Sequence, residues 1–221
     1  MPVIFDFDGV IADTEKLHFE SARVVLAEHG LPLDQARYYA KYLGYSDADM
    51  AAAVARDQGL FAPGADLSDF IREFIVKKGL VFEGLLASGA VLYPGAADCF
   101  ERLGAEFPLA IASGSFREEI EYILGGAGLL HHFTAIVGAA DAPKSKPHPA
   151  PYLEAARRLG ADPLQCVAIE DSMWGLDSAR AAGMRTIAVT NSYSAAELSA
   201  DLIVSGLSEI TTETIRTVLD A

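Results

Sequence analysis

The sequence predicts an α/β fold, in which a doubly wound parallel sheet is covered by helices on both faces and a helical insertion follows the first strand. From residue 91 onward, short apolar runs alternate with helical patterns. Residues 15–87 contain no convincing strand pattern. In such folds ligands bind at the carboxyl ends of the parallel strands. The polar residues that follow each predicted strand are therefore expected to share one edge of the sheet.

The first predicted strand covers residues 3–5, which are apolar β-formers. Asp6 and Asp8 follow it two residues apart, and Gly9 suits a tight exit from a strand. Two adjacent carboxylates repel each other, so a positive charge is expected between them. Oxygen ligands with few basic neighbours favour Mg²⁺ over Zn²⁺. An ordinary acidic turn is the alternative for this segment taken alone.

The insertion is expected to be entirely helical. One amphipathic pattern follows Thr14 and stops at Gly30, and a shorter pattern covers residues 35–43. Ser46 and Asp49 resemble a capping box that opens a further helix. The last pattern runs from about residue 68 to residue 86, with glycines 79 and 84 as candidate break points.

The second half of the chain supplies the remaining strands, at residues 108–112, 135–137, 166–169, 186–189 and 202–204. The last of these is expected at an edge of the sheet. Pro149 and Pro151 fit the first turn of a helix that ends near Gly160.

Ser113 follows the strand at residues 108–112 and precedes a helix. A hydroxyl at this position, together with free backbone N–H groups such as that of Gly114, can bind an anion. The alternative is a simple turn, with Ser115 as the N-cap and Glu118 completing a capping box. Ser113 and Gly114 are therefore candidate phosphate-binding residues.

Lys146 lies in segment 143–149, where three prolines stiffen the chain. An ammonium group held beside carboxylates can bind a phosphate oxygen and neutralise developing charge. A solvated surface lysine is the alternative, and Lys144 is the nearby competitor for the role. Glu170 and Asp171 end another buried strand and form a second acidic pair at the same edge, although Asp171 could also cap the following helix.

This set of residues suits phosphoryl transfer. Asp6 is the candidate nucleophile that forms an aspartyl-phosphate, and Asp8 is the candidate acid/base. Ser113 and Lys146 would hold the phosphoryl oxygens. The predicted Mg²⁺ ligands are Asp6, Asp8, Asp171 and, directly or through a second shell, Glu170.

Composition limits the partners and the compartment. The net charge is -14, with 17 basic against 31 acidic residues. This argues against nucleic acid as a partner, because a phosphate backbone needs a basic face. Neither an apolar run of spanning length nor a basic, apolar leader is recognisable, so neither a membrane nor secretion is expected. Cys99 and Cys166 lie in apolar settings and suggest reduced cysteines in a cytoplasmic protein, expected to be a monomer or weak homodimer.

Four segments resemble the motifs of the haloacid dehalogenase superfamily, in family order. They are Asp6-Phe7-Asp8-Gly9-Val10 with Asp13-Thr14, Ser113-Gly114-Ser115, Lys146-Pro147 and Ile169-Glu170-Asp171-Ser172. The surrounding pattern, Glu170-Asp171-Ser172 followed by Gly175 and by Ala181-Ala182-Gly183-Met184, resembles the β-phosphoglucomutase and phosphoglycolate phosphatase branch. This resemblance implies a Rossmann-like core at residues 1–14 and 88–221. It also implies a helical cap domain at residues 15–87, Mg²⁺ dependence and a small phosphorylated metabolite as substrate.

The resemblance also bears on the reaction. Asp8 favours phosphate-ester chemistry over dehalogenation, and a phosphatase is favoured over a β-phosphoglucomutase-like mutase. The reason is that Asp47 stands where such mutases carry an arginine that grips the second phosphate of the substrate. Lys77 or Lys78 could supply that charge, but both are expected to be ordinary solvated lysines.

Other cap residues are candidates for substrate binding. His18 stands where those mutases carry a histidine near the substrate, with a plain helix-face histidine as the alternative. Gly44, Tyr45 and Ser46 resemble the specificity loop of the cap.

Two further classes stay open. A receiver-like phospho-switch uses similar groups, but the insertion and the spacing of Asp6 and Asp8 argue against it. A binding protein with a degenerate site is disfavoured because the expected catalytic residues are all present.

Overall fold

The structure of the protein is a computed structural model, which describes residues 1–43, 45–86 and 92–220. The chain divides into two units. One consists of Met1–Asp13 and Val91–Ala221 and contains the sheet, and the other consists of Thr14–Ala90 and is helical where it is described.

The helical unit contains α1 (Glu15–Glu28), α2 (Gln35–Lys41), α3 (Asp47–Asp57) and α4 (Ser68–Leu86). Helix α1 packs along α4, and buried apolar side chains of all four helices form the core of the unit. Helix α4 runs unbroken through the glycines at 79 and 84, because buried residues at a spacing of four keep one face against that core. Those residues are Phe70, Phe74, Lys78, Phe82 and Leu86.

The sheet unit contains one parallel sheet, whose six strands lie within the described residues. The strands are β1 (Val3–Phe5), β2 (Leu109–Ala112), β3 (Phe133–Val137), β4 (Val167–Glu170), β5 (Arg185–Val189) and β6 (Leu202–Val204). Their order across the sheet is β3-β2-β1-β4-β5-β6, so β6 is an edge strand as predicted. Phe5 lies opposite both Ile111 and Ile169, and the three central strands therefore end level with one another. The predicted α/β fold is confirmed.

Five α-helices accompany this sheet within the described residues, of which the first four lie between strands and the fifth follows β6. They are α5 (Ala96–Gly104), α6 (Arg117–Gly126), α7 (Ala150–Leu159), α8 (Met173–Ala181) and α9 (Thr212–Asp220). Helix α7 starts after Pro149 and ends at Gly160, as its prolines and glycine predict. Helix α6 is capped by Phe116 instead of the predicted Ser115, whose hydroxyl has another partner described below.

Apolar side chains cover the sheet. Fully buried Ile4, Ala110 and Ala168 on three adjacent strands pack with Tyr152 of α7 and Ala179 of α8. Among the described helices, none combines the length and apolar character that a membrane crossing requires.

Candidate active site

Asp6 and Asp8 follow β1 directly and therefore lie at the carboxyl edge of the sheet. The N–H of Asp6 donates to the carbonyl of Ile169 at 2.9 Å, which extends the ladder one residue beyond β1. The chain then turns sharply, with Gly9 at a φ of +81°. A Cβ at Gly9 would lie 1.9 Å from Oδ2 of Asp171, so the backbone at Gly9 packs in direct contact with the Asp171 carboxylate. The turn thus brings the acids that follow β1 and β4 together.

Three buried carboxylates meet at this edge. One oxygen each from Asp6, Glu170 and Asp171 lie within 4.8 Å of one another. The Nζ atom of Lys146 lies 2.8 Å from Oδ1 of Asp6 and 2.6 Å from Oε1 of Glu170. One ammonium group therefore faces three carboxyl groups, an arrangement that we call the sheet-edge cluster.

The pKa values in the sheet-edge cluster reflect the excess of carboxyl groups over the single ammonium group. Burial, followed by the nearby Glu170 carboxylate, raises the pKa of Asp6 to about 8. Burial, with Glu170 and Asp6, also raises the pKa of Asp171 well above its usual value. Burial would lower the pKa of Lys146, but Asp6 and Glu170 raise it above its usual range. Additional positive charge would stabilise the ionised carboxylates here.

Glu170 is completely buried and held on all sides. Oε1 accepts from Lys146 and, at 2.9 Å, from the hydroxyl of Tyr152. Oε2 accepts from the backbone N–H groups of Asp171 and Ser172 at 3.1 and 3.2 Å, and from the Ser172 hydroxyl. A Cβ at Gly175 would lie 1.7 Å from Oε1. Glu170 thus fixes the position of Lys146 with little freedom of its own.

Asp8 faces the serines of the next strand end. Its Oδ2 accepts from the Ser115 hydroxyl at 2.5 Å and from the Ser113 hydroxyl at 3.2 Å. The N–H of Ser115 in turn donates to Oγ of Ser113 at 2.9 Å. These contacts orient Asp8 beside Ser113, whereas the carboxylate trio of the cluster is formed by Asp6, Glu170 and Asp171 among the described residues.

Sequence reasoning missed several groups of this site. The Ser192 hydroxyl donates to Oδ2 of Asp171, and the Asn191 side chain donates to the carbonyl of Gly9 at 2.7 Å. Both residues follow β5, so the strand-end rule that identified Ser113 could have found them. Tyr152 lies within α7, and nothing in its local sequence indicates a contact with Glu170.

The predicted residues of the helical unit have different environments. Ser46 is the N-cap of α3, where its hydroxyl accepts from the N–H of Asp49 at 3.2 Å and donates to Oδ2 of Asp49 at 2.6 Å. Tyr45 is 45% exposed, with its ring centroid 6.2 Å from that of Tyr42. Gly44 lies outside the described residues.

Lys78 is not the solvated lysine that the sequence suggested. It is only 1% exposed, because it occupies the buried face of α4. Its Nζ lies 2.7 Å from Oδ1 and 2.9 Å from Oδ2 of Asp47, and 2.9 Å from Nδ1 of His18. Lys77 does lie at the surface, where it pairs with Glu28 and Glu73.

Comparisons with known proteins agree on one family. The family model for haloacid dehalogenase-like hydrolases matches residues 3–189. Fructose-1-phosphate phosphatase YqaB from Escherichia coli (strain K12) is 33% identical over 187 residues, which cover 85% of this chain and 95% of that protein.

Solved structures are similar over nearly the whole chain. A variant of CbbY from Rhodobacter sphaeroides, in complex with xylulose-(1,5)bisphosphate, has a TM-score of 0.84 at 26% identity, covering 97% of this chain and 98% of that one. β-Phosphoglucomutase from Clostridium difficile has a TM-score of 0.85 at 22% identity, covering 99% and 96%, which shows a shared fold.

Proposed function

The chain belongs to the family of haloacid dehalogenase-like hydrolases, and we propose that it is a Mg²⁺-dependent phosphatase that hydrolyses a small sugar phosphate or similar metabolite through an aspartyl-phosphate. Its family and its phosphatase relatives make it a phosphoric monoester hydrolase. The observation that carries the finer proposal is the position of Asp6, whose Oδ1 lies 2.8 Å from the Lys146 ammonium within a group of buried carboxylates.

The reaction is proposed to proceed in two displacements. Asp6 attacks phosphorus, the bond to the ester oxygen breaks, and Asp8 protonates the departing alkoxide. Asp8 then removes a proton from water, whose oxygen attacks the phosphorus of the aspartyl-phosphate. The bond between phosphorus and the Asp6 oxygen breaks, which regenerates the Asp6 carboxylate and releases inorganic phosphate. The hydroxyl groups of Ser113 and Ser115 hold Asp8 in place for both proton transfers.

Three groups, Lys146, the Ser113 hydroxyl and the backbone N–H of Gly114, are proposed to bind the phosphoryl oxygens. Lys146 is held rigidly by Glu170, and Tyr152 fixes Glu170 in turn, so the ammonium group is preorganised where negative charge develops. Ser113 lies at the neighbouring strand end, where Gly114 contributes its backbone N–H.

The donor set fits Mg²⁺. Asp6, Glu170 and Asp171 offer only carboxylate oxygens, the ligands that this ion prefers, and their negative charge exceeds what one lysine compensates. Asp6 and Asp171 would hold the ion, with Asp8 and Glu170 as the other proposed ligands. When bound, the ion would reduce the repulsion between an anionic nucleophile and an anionic phosphate.

The substrate class is proposed from two relatives. YqaB is a fructose-1-phosphate phosphatase, and CbbY was crystallised with xylulose-(1,5)bisphosphate. We propose that residues 15–87 act as a cap domain, in which His18, Gly44, Tyr45 and Ser46 contribute to substrate binding.

The test is phosphate release from a panel of sugar and polyol phosphates. Wild-type protein with Mg²⁺ should release phosphate, and either chelation of divalent metal or Asp6→Asn should lower the rate by about 1,000-fold or more. Asp177→Asn is the matched control, because Asp177 is exposed and forms a local surface ion pair with Arg180.

Three results would contradict the proposal. Full activity in Asp6→Asn would exclude Asp6 as the nucleophile. Isomer conversion without net phosphate release would indicate a mutase. A long-lived phosphoprotein without turnover would indicate a switch.

A further inference from the structure

Two adjacent residues that follow β5, Asn191 and Ser192, connect the end of that strand to the sheet-edge cluster. The Ser192 hydroxyl donates to Oδ2 of Asp171, which precedes it by 21 residues. Nδ2 of Asn191 donates at 2.7 Å to the carbonyl of Gly9, which lies 182 residues away in the sequence. We call Asn191 and Ser192 the β5-end pair. No step of the proposed reaction uses either side chain.

The contacts of the β5-end pair converge on one oxygen of Asp171. A Cβ at Gly9 would lie 2.9 Å from Oγ of Ser192 as well as 1.9 Å from Oδ2 of Asp171. The Gly9 backbone, which Asn191 holds through its carbonyl, and the Ser192 hydroxyl therefore pack together against Oδ2. Asp171 is only 4% exposed, so its carboxylate has little room to rotate. This packing favours Oδ1 as the oxygen that binds a metal ion.

A carboxylate held in this way can discriminate between divalent cations. Mg²⁺ requires nearly regular octahedral coordination, whereas Ca²⁺ accepts bidentate carboxylates and irregular geometry. Asp171 could bind an ion through both oxygens only if Oδ2 gave up its packing with Gly9 and its hydrogen bond from Ser192. The bond from Ser192 therefore opposes the bidentate geometry that Ca²⁺ accepts, and it orients the single oxygen that Mg²⁺ needs.

A role confined to the shape of the loop explains Ser192 less well. Ser192 and Ser194 are both exposed serines of the same loop. The hydroxyl of Ser194 donates to Glu197 at 2.7 Å, within the loop itself. The hydroxyl of Ser192 instead reaches a buried carboxylate that is a proposed metal ligand. Ser194 therefore serves as the internal comparison for a serine that stabilises the loop alone.

We propose that Ser192 is a positioning residue, which together with Asn191 presents one oxygen of Asp171 to Mg²⁺ and disfavours Ca²⁺. This inference rests on the proposed Mg²⁺-dependent function. Because Ser192 acts through Asp171, its loss should change both the affinity for metal ions and the preference between them.

The test is isothermal titration calorimetry of the whole chain, freed of metal, with MgCl₂ and with CaCl₂. In Ser192→Ala we expect the Kd for Mg²⁺ to rise about tenfold, because the ligand loses the hydrogen bond that orients it. The Kd for Ca²⁺ should rise less or fall, because Asp171 gains freedom to bind through both oxygens. The ratio of the Mg²⁺ Kd to the Ca²⁺ Kd should therefore rise.

Three further variants separate the hydroxyl from the shape of the side chain. Ser192→Thr and Ser192→Val form a matched pair, because the new side chains have nearly the same shape and differ in the hydroxyl group. Ser192→Thr should keep the wild-type ratio, and Ser192→Val should raise it. Ser194→Ala removes an exposed hydroxyl from the same loop and should leave both Kd values unchanged. Circular dichroism and the Tm establish that each variant is folded.

If Ser192→Ala does not fold, the comparison of Ser192→Thr with Ser192→Val decides the question. A wild-type ratio in folded Ser192→Ala or Ser192→Val, including equal weakening of both ions, would overturn the role of Ser192. The proposed phosphatase function would survive that result. Absence of Mg²⁺-stimulated phosphate release by the wild type would instead contradict the proposed function.

Discussion

Two largely buried lysines, one in each unit of the chain, have similar surroundings but a different charge balance. Lys146 bonds to Asp6 and Glu170 and lies 5.0 Å from the ring centroid of Tyr152. Lys78 bonds to Asp47 and to a histidine and lies 5.6 Å from the centroid of an aromatic ring. The first lysine faces an excess of carboxylates, and the second is balanced by one.

This difference shows that the number of carboxylates beside a largely buried lysine determines whether uncompensated negative charge remains next to it. At the sheet edge, the excess acid holds the ammonium in place and leaves negative charge that the proposed Mg²⁺ would compensate. Around Lys78, the carboxylate of Asp47 balances the charge of the ammonium group, and both Asp47 and His18 are partly exposed. In the proposed reaction the first lysine acts on the phosphoryl group, whereas no step uses the second.

The largest expected effect separates the two lysines directly. Lys146→Met should lower kcat by about 1,000-fold for the phosphate ester of the panel that the wild type hydrolyses fastest, because it removes a fixed positive charge from the proposed position of the phosphoryl group. Lys78→Met should lower it by at most about tenfold, because no step of the proposed reaction uses that lysine. Steady-state phosphate release measures both.

Lys77→Met serves as the control for these variants, since Lys77 forms only surface ion pairs. Equal losses of activity in the Lys146 and Lys78 variants would remove the distinction between the two lysines.

A second prediction concerns the packing that makes the sheet-edge cluster rigid. Gly175→Ala would place a methyl group on the carboxylate of Glu170, which cannot withdraw without breaking its bonds to Lys146 and Tyr152. We expect a loss of about 2 kcal/mol in the free energy of unfolding together with reduced activity. Gly79→Ala, beside Lys78 in α4, meets no neighbouring atom within 4 Å and should instead be neutral or stabilising by about 0.5–1 kcal/mol.

Urea unfolding of the two glycine variants at one pH provides the comparison. Similar free energies of unfolding for Gly175→Ala and Gly79→Ala would mean that the sheet-edge cluster accommodates an added methyl group as well as α4 does.

The smallest effect is expected from a third charged group, which has no proposed ligand. Asp141 accepts from Arg158 at 2.7 Å, from Arg117 at 3.0 Å and from the N–H of Gly138 at 2.8 Å. Burial would raise the pKa of Asp141, but these bonds lower it to about 2. A lowered pKa stabilises the folded state above the unfolded pKa, and this contribution is lost as the pH falls from about 4 towards 2.

Asp141→Asn should therefore cost about 1–2 kcal/mol at pH 7, with activity retained. The difference from the wild type should shrink as the pH approaches 2, as measured by urea unfolding at several pH values. A difference that stays constant with pH would indicate that packing, and not charge, accounts for the loss.

Much of the fold was predictable from the sequence, because short apolar runs bounded by glycine and proline define parallel strands clearly. The family resemblance inferred from four motifs is confirmed by the family match. The strand-end rule also brought Asp6 and Asp171 together correctly, since it depends only on the direction of the strands.

Side-chain partners were less predictable. Ser115 was assigned to a helix cap, because its sequence context fits one, but its hydroxyl donates to Asp8. Lys78 was expected in solvent, because lysine is seldom buried, and the compensating Asp47 lies 31 residues away. Such pairings depend on tertiary packing, which local patterns do not encode.

The close approach of Gly9 to Asp171 has a consequence for laboratory evolution. Any other residue at position 9 would combine an unfavourable backbone conformation with a methyl group on a carboxylate of the site. Random libraries should therefore yield few active clones with changes there. Diversity aimed at new substrates is better directed to the helical unit, for example to the exposed Tyr45, where a new side chain meets solvent instead of a packed backbone.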